Sequence, residues 1–453
     1  MNKLVVGVVG AGVLAGAAAL GCSYYVGGQI EQSLQRATQE WSAQEGFAVN
    51  ILEYNRGIFG AKAKTQWSFD DEDEHFEIIA THDITHGPWA RGQAGRIDSR
   101  FPLPEDSDPD LQKALHGRAA LEMLTHIGWK GQTEHKVTSP ELSVHFADGS
   151  ELGWGGLQAE LKLSAERTAA QGWARMPALQ LKSEDGSRME LQDTRMDVSG
   201  AIVPGHSFWD GPASMTVASL QIFEPEGASH IMLRGLALDS ATQVREEMID
   251  TSFKVNVAHL DAPGYPTSDI QLHVSLKNIA STWLDQAMAW AQGDMQDEAH
   301  RMELLRSLPV LLERKPEIAL ERFAVRTPEG LSELSARLAY QGEDPSAFNP
   351  LTDLYASLRA AMPQALLKLL MAEKVRSDYA TLLEQLGQEM AEEALQAEVD
   401  AGVQKRIQGL LSNDIVRAQG DTFSAELEYS QGEIKLNGVV TPLQKLWGIG
   451  GAM

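Results

Sequence analysis

One short segment carries an arginine that could bind an anion. In the sequence Tyr54–Asn–Arg56–Gly57–Ile–Phe59, Arg56 follows an aromatic residue by two positions and directly precedes a glycine, between two predicted strands. The planar guanidinium of arginine can hold a carboxylate or a headgroup phosphate through parallel hydrogen bonds, so Arg56 is a candidate binding residue. The alternative interpretation is structural: an arginine beside a turn glycine can pair with a carboxylate on a neighbouring strand.

Two histidines, His82 and His86, lie four residues apart with Asp83 between them. On a helix this spacing could bind zinc, but on a strand the two rings share a face and stand roughly 13 Å apart. Neighbouring isoleucines and the following Gly87–Pro88 indicate a strand, so we expect no metal site. His86 is a second candidate binding residue, and its structural alternative is a strand-end histidine bonded to a turn.

The sequence lacks the common motifs of nucleophilic catalysis, phosphate binding and calcium binding. No Gly-x-Ser-x-Gly elbow and no phosphate loop ending in Lys-Ser/Thr occurs. The acidic run at 70–74 lacks the spacing and the glycine of a calcium-binding EF-hand. We therefore expect neither an enzyme nor a cofactor, and we interpret the acidic run as a solvated hairpin tip.

Composition limits the class of partner. The 453 residues include 63 acidic and 38 basic side chains, giving a formal net charge of -25. Such a charge repels the phosphate backbone, so we expect no nucleic-acid partner. The 43% hydrophobic content is typical of a folded chain, and the length predicts more than one packing unit.

The N-terminal segment predicts a membrane anchor. Residues 4–26 carry no charge, and about 20 apolar residues suffice for a helix to cross a bilayer. Lys3 precedes the segment and Glu31 is the first charge after it, which favours a cytoplasmic N-terminus. We expect a transmembrane anchor over 1–28, an amphipathic stalk helix over 29–46 and the rest of the chain in the periplasm of a bacterium, at the inner membrane.

The single cysteine leaves a second type of tether open. Ala19–Leu20–Gly21–Cys22 approximates a lipobox, in which Cys22 would be acylated, although Leu20 stands one place later than usual. A signal peptide cleaved after the 17–19 alanine run is the third alternative. All three export the bulk of the chain, and one cysteine excludes an intrachain disulfide.

The exported part predicts an α+β fold. Segments that alternate apolar and polar residues, separated by turn signals without intervening helices, indicate a large, mainly antiparallel β-rich region. We place this region at 47–278 and an α+β region at 279–453, with helices 281–313 and 351–411 and hairpins 317–340 and 421–441. The C-terminal strands could also extend the preceding sheet, which would make the boundary one of composition only.

Several short motifs spread along the chain resemble those of the YdgA-like family of Gram-negative bacterial proteins of unknown function. They are Tyr25, Gly28, Ile30 and Glu31 after the apolar stretch, Tyr54–Asn–Arg56–Gly57–Ile–Phe59, Thr85–His86–Gly87–Pro88, Pro316–Glu–Ile–Ala–Leu320 with Arg326–Thr–Pro–Glu–Gly330, and Lys435–Leu–Asn–Gly438. The resemblance implies an inner-membrane anchor followed by a large periplasmic β-rich domain. It supplies no catalytic residues.

Three functions remain open at the level of sequence. The first is a non-enzymatic envelope protein whose sheet binds lipid-like molecules or an envelope partner. The second is a scaffold or self-associating module that uses the helices predicted over 351–411. The third is an envelope hydrolase with a site around His86. The alternation alone cannot tell an open apolar groove from a filled sandwich.

Overall fold

The computed structural model describes the chain from the first strand onward, apart from short gaps. The described residues are 47–71, 74–87, 90, 92–104, 107–206, 208–225, 230–263, 265–291, 298–387 and 390–442. The predicted anchor over 1–28, the predicted stalk over 29–46 and Cys22 lie outside them. Within the described ranges, every helix is too short or too polar to cross a bilayer.

Contacts divide the chain into two compact units, Met1–Leu236 (unit 1) and Ala237–Met453 (unit 2). Both are mainly antiparallel β-sheet with a few helices. The strands of unit 1 are β1 (Phe47–Arg56), β2 (Gly60–Asp71), β3 (Glu74–His86), β4 (Gly95–Phe101), β5 (Leu121–Ile127), β6 (Thr133–Ser139), β7 (Leu142–His145), β8 (Glu151–Trp154), β9 (Leu157–Leu163), β10 (Ala169–Lys182), β11 (Arg188–Ile202) and β12 (Trp209–Phe223). A short helix, α1 (Pro109–Leu115), follows β4, and the division falls within β13 (His230–Arg245).

Strands in unit 1 pair in the order of the chain, except for β7 and β8. Strands β1 to β6 pair antiparallel in sequence order, and β6 then pairs with β9, which is followed by β10, β11 and β12. The hairpin β7–β8 leaves this order and joins β10 through β8. Because side chains alternate along a strand, residues paired across strands share a face.

An apolar core lies on one face of the first five strands. Ala61, Ile84 and Ile97 are direct cross-strand partners and are buried. Ile127 on β5 is completely buried in the same cluster. Small residues such as Ala94 let larger ones from neighbouring strands meet, so close packing here fixes the register of these strands.

Beside this core, the same face buries a histidine. His82 pairs across the strands with Ala63 and Ser99. Its Nε2 shares a hydrogen bond of 2.8 Å with the Thr65 hydroxyl, and its Nδ1 shares one of 2.8 Å with the Ser99 hydroxyl. Both ring nitrogens are therefore satisfied inside the sheet, and burial lowers the pKa of His82 to about 4.

A second buried histidine repeats this arrangement three strands away. His135 on β6 bonds through Nδ1 to the Thr125 hydroxyl and through Nε2 to the Thr133 hydroxyl, both at 3.0 Å. Burial lowers the pKa of His135 to about 4 as well. Both histidines are neutral at neutral pH and act as structural hydrogen-bonding groups of the core.

Farther along unit 1, two rows of paired apolar side chains cross strands β7, β8, β10, β11 and β12. The rows are Leu142–Trp154–Leu179–Leu191–Leu220 and Val144–Leu152–Leu181–Met189–Ile222. Helix α1 contacts β7, and Val144 at that end is buried. Farther along the second row, Leu181 on β10 and Ile222 on β12 are exposed.

Unit 2 contains most of the described helices. Its strands are β14 (Met248–Asp261), β15 (Thr267–Ala280), β16 (Glu317–Thr327), β17 (Gly330–Tyr340), β18 (Leu354–Pro363), β19 (Arg417–Gln419), β20 (Thr422–Ser430), β21 (Glu433–Leu436) and β22 (Val439–Val440). Its helices are α2 (Ser281–Ala291), α3 (Glu298–Leu312), α4 (Pro350–Asp353), α5 (Gln364–Leu386) and α6 (Glu392–Ser412), with a 3₁₀ turn at Pro345–Ala347.

The C-terminal strands extend the sheet that precedes them. Strand β16 pairs with β15, and the order continues through β17, β18, β20, β21 and β22, all antiparallel. The change from strands to helices predicted near residue 278 occurs where β15 ends at Ala280. Helices are inserted there, but strand pairing continues beyond them.

The predicted helix over 351–411 is wrong in its first part. Leu354–Pro363 is a strand that pairs with β17 on one side and β20 on the other. Its alanines and leucines suit a helix, but a central position in a sheet bonds the backbone on both edges. Tertiary pairing therefore overrides local propensity, and the long helix α5 begins only at Gln364.

Helices α5 and α6 form a hairpin with its own core. Val375, Val399, Val403 and Ile407 are buried together with Phe423, which belongs to strand β20. Helix α5 ends at Gly387, whose left-handed φ of 61° forms the C-cap. The helical hairpin thus packs on the sheet of unit 2 next to Phe423 of β20.

Two glycines of this hairpin should respond in opposite directions to alanine. A Cβ at Gly409 in α6 has nothing within 4 Å, so we expect Gly409→Ala to raise the free energy of unfolding by about 0.5–1 kcal/mol. Gly387→Ala should lower it by about 1 kcal/mol because of the left-handed φ. Urea unfolding of the two variants checks this, and equal shifts would contradict the assigned helix end.

Candidate functional site

The two binding residues predicted from sequence lie at the same end of the first sheet. Arg56 is the last residue of β1 and His86 the last residue of β3. The backbone N–H of His86 donates to the carbonyl of Phe59, in the turn after Arg56, at 3.1 Å. The structure therefore brings together two motifs that are separated in sequence.

His86 supports the Arg56 turn from inside. Its side chain is completely buried, and burial lowers its pKa. A hydrogen bond with the Gly60 backbone opposes that effect, whereas the charge of Arg56 adds to it. A fully buried ring at this position is suited to hold the turn and is poorly placed to contact a substrate in solution.

His82 and His86 do not form a metal site. Both lie on strand β3, as predicted, and His82 uses both ring nitrogens for hydroxyl groups. Among the residues that the structure describes, no group of three or more His, Cys, Asp or Glu side chains is arranged to hold a metal ion. The histidine pair is thus part of the packed face of the sheet.

Unit 2 presents a feature that the sequence did not reveal, a sheet with one apolar and one charged face. Three rows of paired side chains define the apolar face. The rows are Leu276–Ile318–Leu338–Ala356–Tyr429–Ile434, Phe253–Val274–Leu320–Ala336–Leu358–Leu427–Leu436 and Val255–Leu272–Phe323–Leu334–Ala360–Ala425. They cross the strands from β14 to β21.

Much of the apolar face is open to solvent. Ile318 is 50% exposed and Leu338, its cross-strand partner, 44%. Phe253, Phe323 and Leu358 are also exposed. At one corner the face continues to the buried Phe423, where the α5–α6 hairpin covers it. Apolar side chains so concentrated on one face mark a binding surface more often than isolated ones do.

The opposite face of the same strands carries ion pairs. Lys277 lies 3.2 Å from Glu317 and 3.2 Å from Glu321, and Arg337 also pairs with Glu317. Arg322 with Glu333 and Arg359 with Glu426 continue the pattern, each at 2.7 Å. These pairs suit a solvated surface, so the sheet of unit 2 is amphipathic.

Comparison with known families decides what kind of chain this is. Residues 1–444 match the model of a family described as bacterial protein of unknown function (DUF945). The chain belongs to the DUF945 family. Searches of curated proteins and of solved structures gave no significant match. The family carries no assigned activity, so the function of this DUF945 protein must be argued from its surfaces.

One motif of this DUF945 chain has a structural explanation. In Lys435–Leu–Asn–Gly438, Asn437 is buried with a left-handed φ of 51° and joins β21 to β22. Its Oδ1 accepts from the Glu426 N–H at 2.9 Å, and its Nδ2 donates to the carbonyls of Asp414 and Ile415. Asn437 thus ties the end of the helical hairpin to the sheet.

Sequence reasoning could have found part of the apolar face of the DUF945 protein. The alternation of Ile318 with Leu320, and of Leu334 with Leu338, is visible in the sequence. Alternation predicts that one side of these strands is apolar, but it cannot tell an open groove from a filled sandwich. Whether another element covers that side depends on the positions of the helices, which alternation does not report.

Proposed function

We propose that this DUF945 protein is a non-enzymatic envelope protein that binds the apolar part of a lipid-like molecule on the apolar face of unit 2. Its N-terminal segment would anchor it in the bacterial inner membrane, with the bulk of the chain in the periplasm. The resemblance to the YdgA-like family and the charge pattern around residues 4–26 support that location.

The observation that carries the proposal is the open apolar face opposite a face of ion pairs. Five large apolar side chains, at positions 253, 318, 323, 338 and 358, are exposed on it. Covering such half-exposed side chains is worth about 1 kcal/mol each, so an acyl chain gains several kcal/mol by lying across them. The charged face offers no such gain.

Photo-crosslinking in native membranes tests the proposal with the full chain. A photoreactive amino acid at position 318 should give lipid adducts that are detected by mass spectrometry. The matched control is Val440, which is 59% exposed but pairs with Lys435 on the charged side of the sheet. Equal adduct yields at 318 and 440, or none at 318, would contradict lipid binding on this face.

A charge on the apolar face should weaken lipid binding. With the photoreactive group at position 358, we expect Ile318→Glu combined with Leu338→Glu to lower the adduct yield about tenfold, because a loss of about 1.4 kcal/mol changes affinity tenfold. Val440→Glu should leave the yield unchanged. The same yield in all three proteins would show that the adduct does not depend on the face.

A second candidate function, a self-associating scaffold, is favoured by the helical hairpin. Leu369, Leu370, Leu382 and Leu386 of α5 are exposed. A groove of about 750 Å³ between α5 and α6 is lined by residues including Leu369, Val403 and Leu411. Crosslinking between copies in the membrane tests this, and Leu370→Glu should abolish the dimer. Monomer alone in the parent protein would exclude it.

A further inference from the structure

A polar groove of about 310 Å³ crosses strands β9, β10, β11 and β12 of unit 1. It lies on the side of the sheet opposite to the buried His135. That histidine pairs with Leu161, whereas the groove residues Glu160 and Lys162 flank Leu161 on β9 and therefore point the other way. The groove is thus open to solvent, and its volume is at the lower end of the range of about 300–1,000 Å³ that is typical of small-molecule sites.

Two neighbouring rows of cross-strand partners form the walls of the groove. The rows are Glu160–Trp173–Asp197–Ser214 and Lys162–Gln171–Ser199. Side chains two residues apart on a strand share a face and stand about 7 Å apart, so this distance separates the two walls. A gap of that width suits a flat, ring-shaped ligand.

Trp173 is the aromatic side chain of the groove. Its direct cross-strand partners are two carboxylates, those of Glu160 and Asp197, so the indole stands among charged groups and not in an apolar core. The guanidinium carbon of Arg195 lies over the ring, 5.9 Å from its centroid. Arg195 pairs with Arg175, in the next row on the side away from the groove. The arginine therefore supports the indole from behind and leaves the groove side to a ligand.

The polar groups of the groove are suited to hydroxyl groups. Lys162 lies 2.7 Å from Glu160, and Arg195 donates two hydrogen bonds of 2.7 Å to Asp197. A carboxylate has more acceptor positions than these bonds occupy, so both can still accept from a ligand. Gln171 and Ser199 are exposed, and their amide and hydroxyl groups can each donate and accept.

The charge of the groove disfavours ionic ligands. An anion would meet the carboxylates of Glu160 and Asp197, and a cation would compete with Lys162 and Arg195 for them. A sugar ring avoids both costs. Its C–H groups carry partial positive charge, which is attracted to the negative face of an indole, and its hydroxyls match groups that both donate and accept.

We propose that this groove binds a neutral saccharide. One sugar ring stacks on Trp173, and its hydroxyls bond to Asp197, Gln171 and Ser199. The site lies in unit 1 and uses none of the residues of the apolar face of unit 2. It is therefore independent of the proposed lipid binding, and lipid adducts at position 318 should be the same in Trp173→Ala as in the parent protein.

Saturation-transfer difference NMR on the purified full chain tests the proposal. The probes are three neutral trisaccharides, maltotriose, cellotriose and the β-1,4-linked trimer of N-acetylglucosamine, with the acidic trigalacturonate as a comparison. We expect transfer to the ring C–H protons of at least one neutral sugar and weaker binding of trigalacturonate. Trp173→Ala should raise the Kd for that sugar about tenfold, and Gln171→Ala about threefold.

Trp129 provides the matched control. It is 40% exposed in the turn between β5 and β6 and does not line the groove, so Trp129→Ala should leave the Kd unchanged. No transfer to any neutral sugar, tighter binding of trigalacturonate, or equal affinity in the Trp173 and Trp129 variants would overturn the proposal. Circular dichroism checks that the variants are folded. If Trp173→Ala is unfolded, Gln171→Ala decides, and an unchanged Kd in that variant would reject the site.

Discussion

Acidification from pH 7 to pH 4 is expected to lower the free energy of unfolding by up to about 3 kcal/mol for each of His82 and His135. Burial lowers the pKa of both rings from the usual 6.5 to about 4. Between these values the unfolded chain binds protons that the folded chain does not. Stability from these groups is therefore full above pH 6.5 and is lost as the pH falls toward 4.

Urea unfolding at several pH values between 7 and 4 measures this effect. The unfolding is monitored by a spectroscopic signal from unit 1, which contains both histidines. Carboxylates also titrate in this range, so the comparison between variants isolates the histidines. His82→Gln with His135→Gln should be less stable at pH 7 and should lose less stability on acidification. The exposed His145 provides the control, since His145→Gln should keep the full pH dependence. An undiminished dependence in the double variant would refute the assignment.

Replacing Asn437 by alanine is expected to lower the free energy of unfolding by about 3 kcal/mol. The change leaves the Glu426 N–H and the carbonyls of Asp414 and Ile415, whose hydrogen bonds are part-buried, without the side-chain partner that they have in the native protein. Unsatisfied buried groups cost about 1–3 kcal/mol each. Alanine at a left-handed φ adds about 1 kcal/mol.

The chain offers a matched control for this prediction. Gln431 has the same left-handed φ of 51° and lies in the exposed turn between β20 and β21. Because glutamine already carries a Cβ at this φ, Gln431→Ala should change the free energy of unfolding by less than about 0.5 kcal/mol and removes no buried side-chain hydrogen bond. Chemical denaturation followed by circular dichroism compares the two variants. Equal losses would mean that the Asn437 side-chain bonds contribute little.

Much of the strand content could be predicted from alternation, because strands with one buried face repeat apolar residues at every second position. The hairpin of β16 and β17 agrees with the range predicted for it, 317–340. The segment 354–363 could not be predicted, because its alanines and leucines favour a helix and only its two neighbouring strands make it β18.

The candidate site residues could likewise be predicted in part, as single residues but not as a group. Arg56 and His86 were identifiable one by one, since an arginine beside a turn glycine and a histidine before Gly–Pro have recognisable chemistry. The proximity of Arg56 and His86 was not predictable, because it depends on the order in which β1, β2 and β3 pair. The exposure of Trp129 follows from its place in the turn between β5 and β6, which alternation does not report.

The α5–α6 hairpin leaves and re-enters the sheet at adjacent positions. Pro363 and Thr422 are cross-strand partners, and the Gln364 N–H donates to the Asp421 carbonyl at 2.8 Å. The residues between Pro363 and Thr422 are therefore an insertion at a position where a β-turn could join β18 directly to β20. This insertion could be longer, shorter or of a different sequence while β18 and β20 stayed paired. Any such insertion would have to cover Phe423. The length of the helical hairpin can therefore change without altering the pairing of β18 with β20.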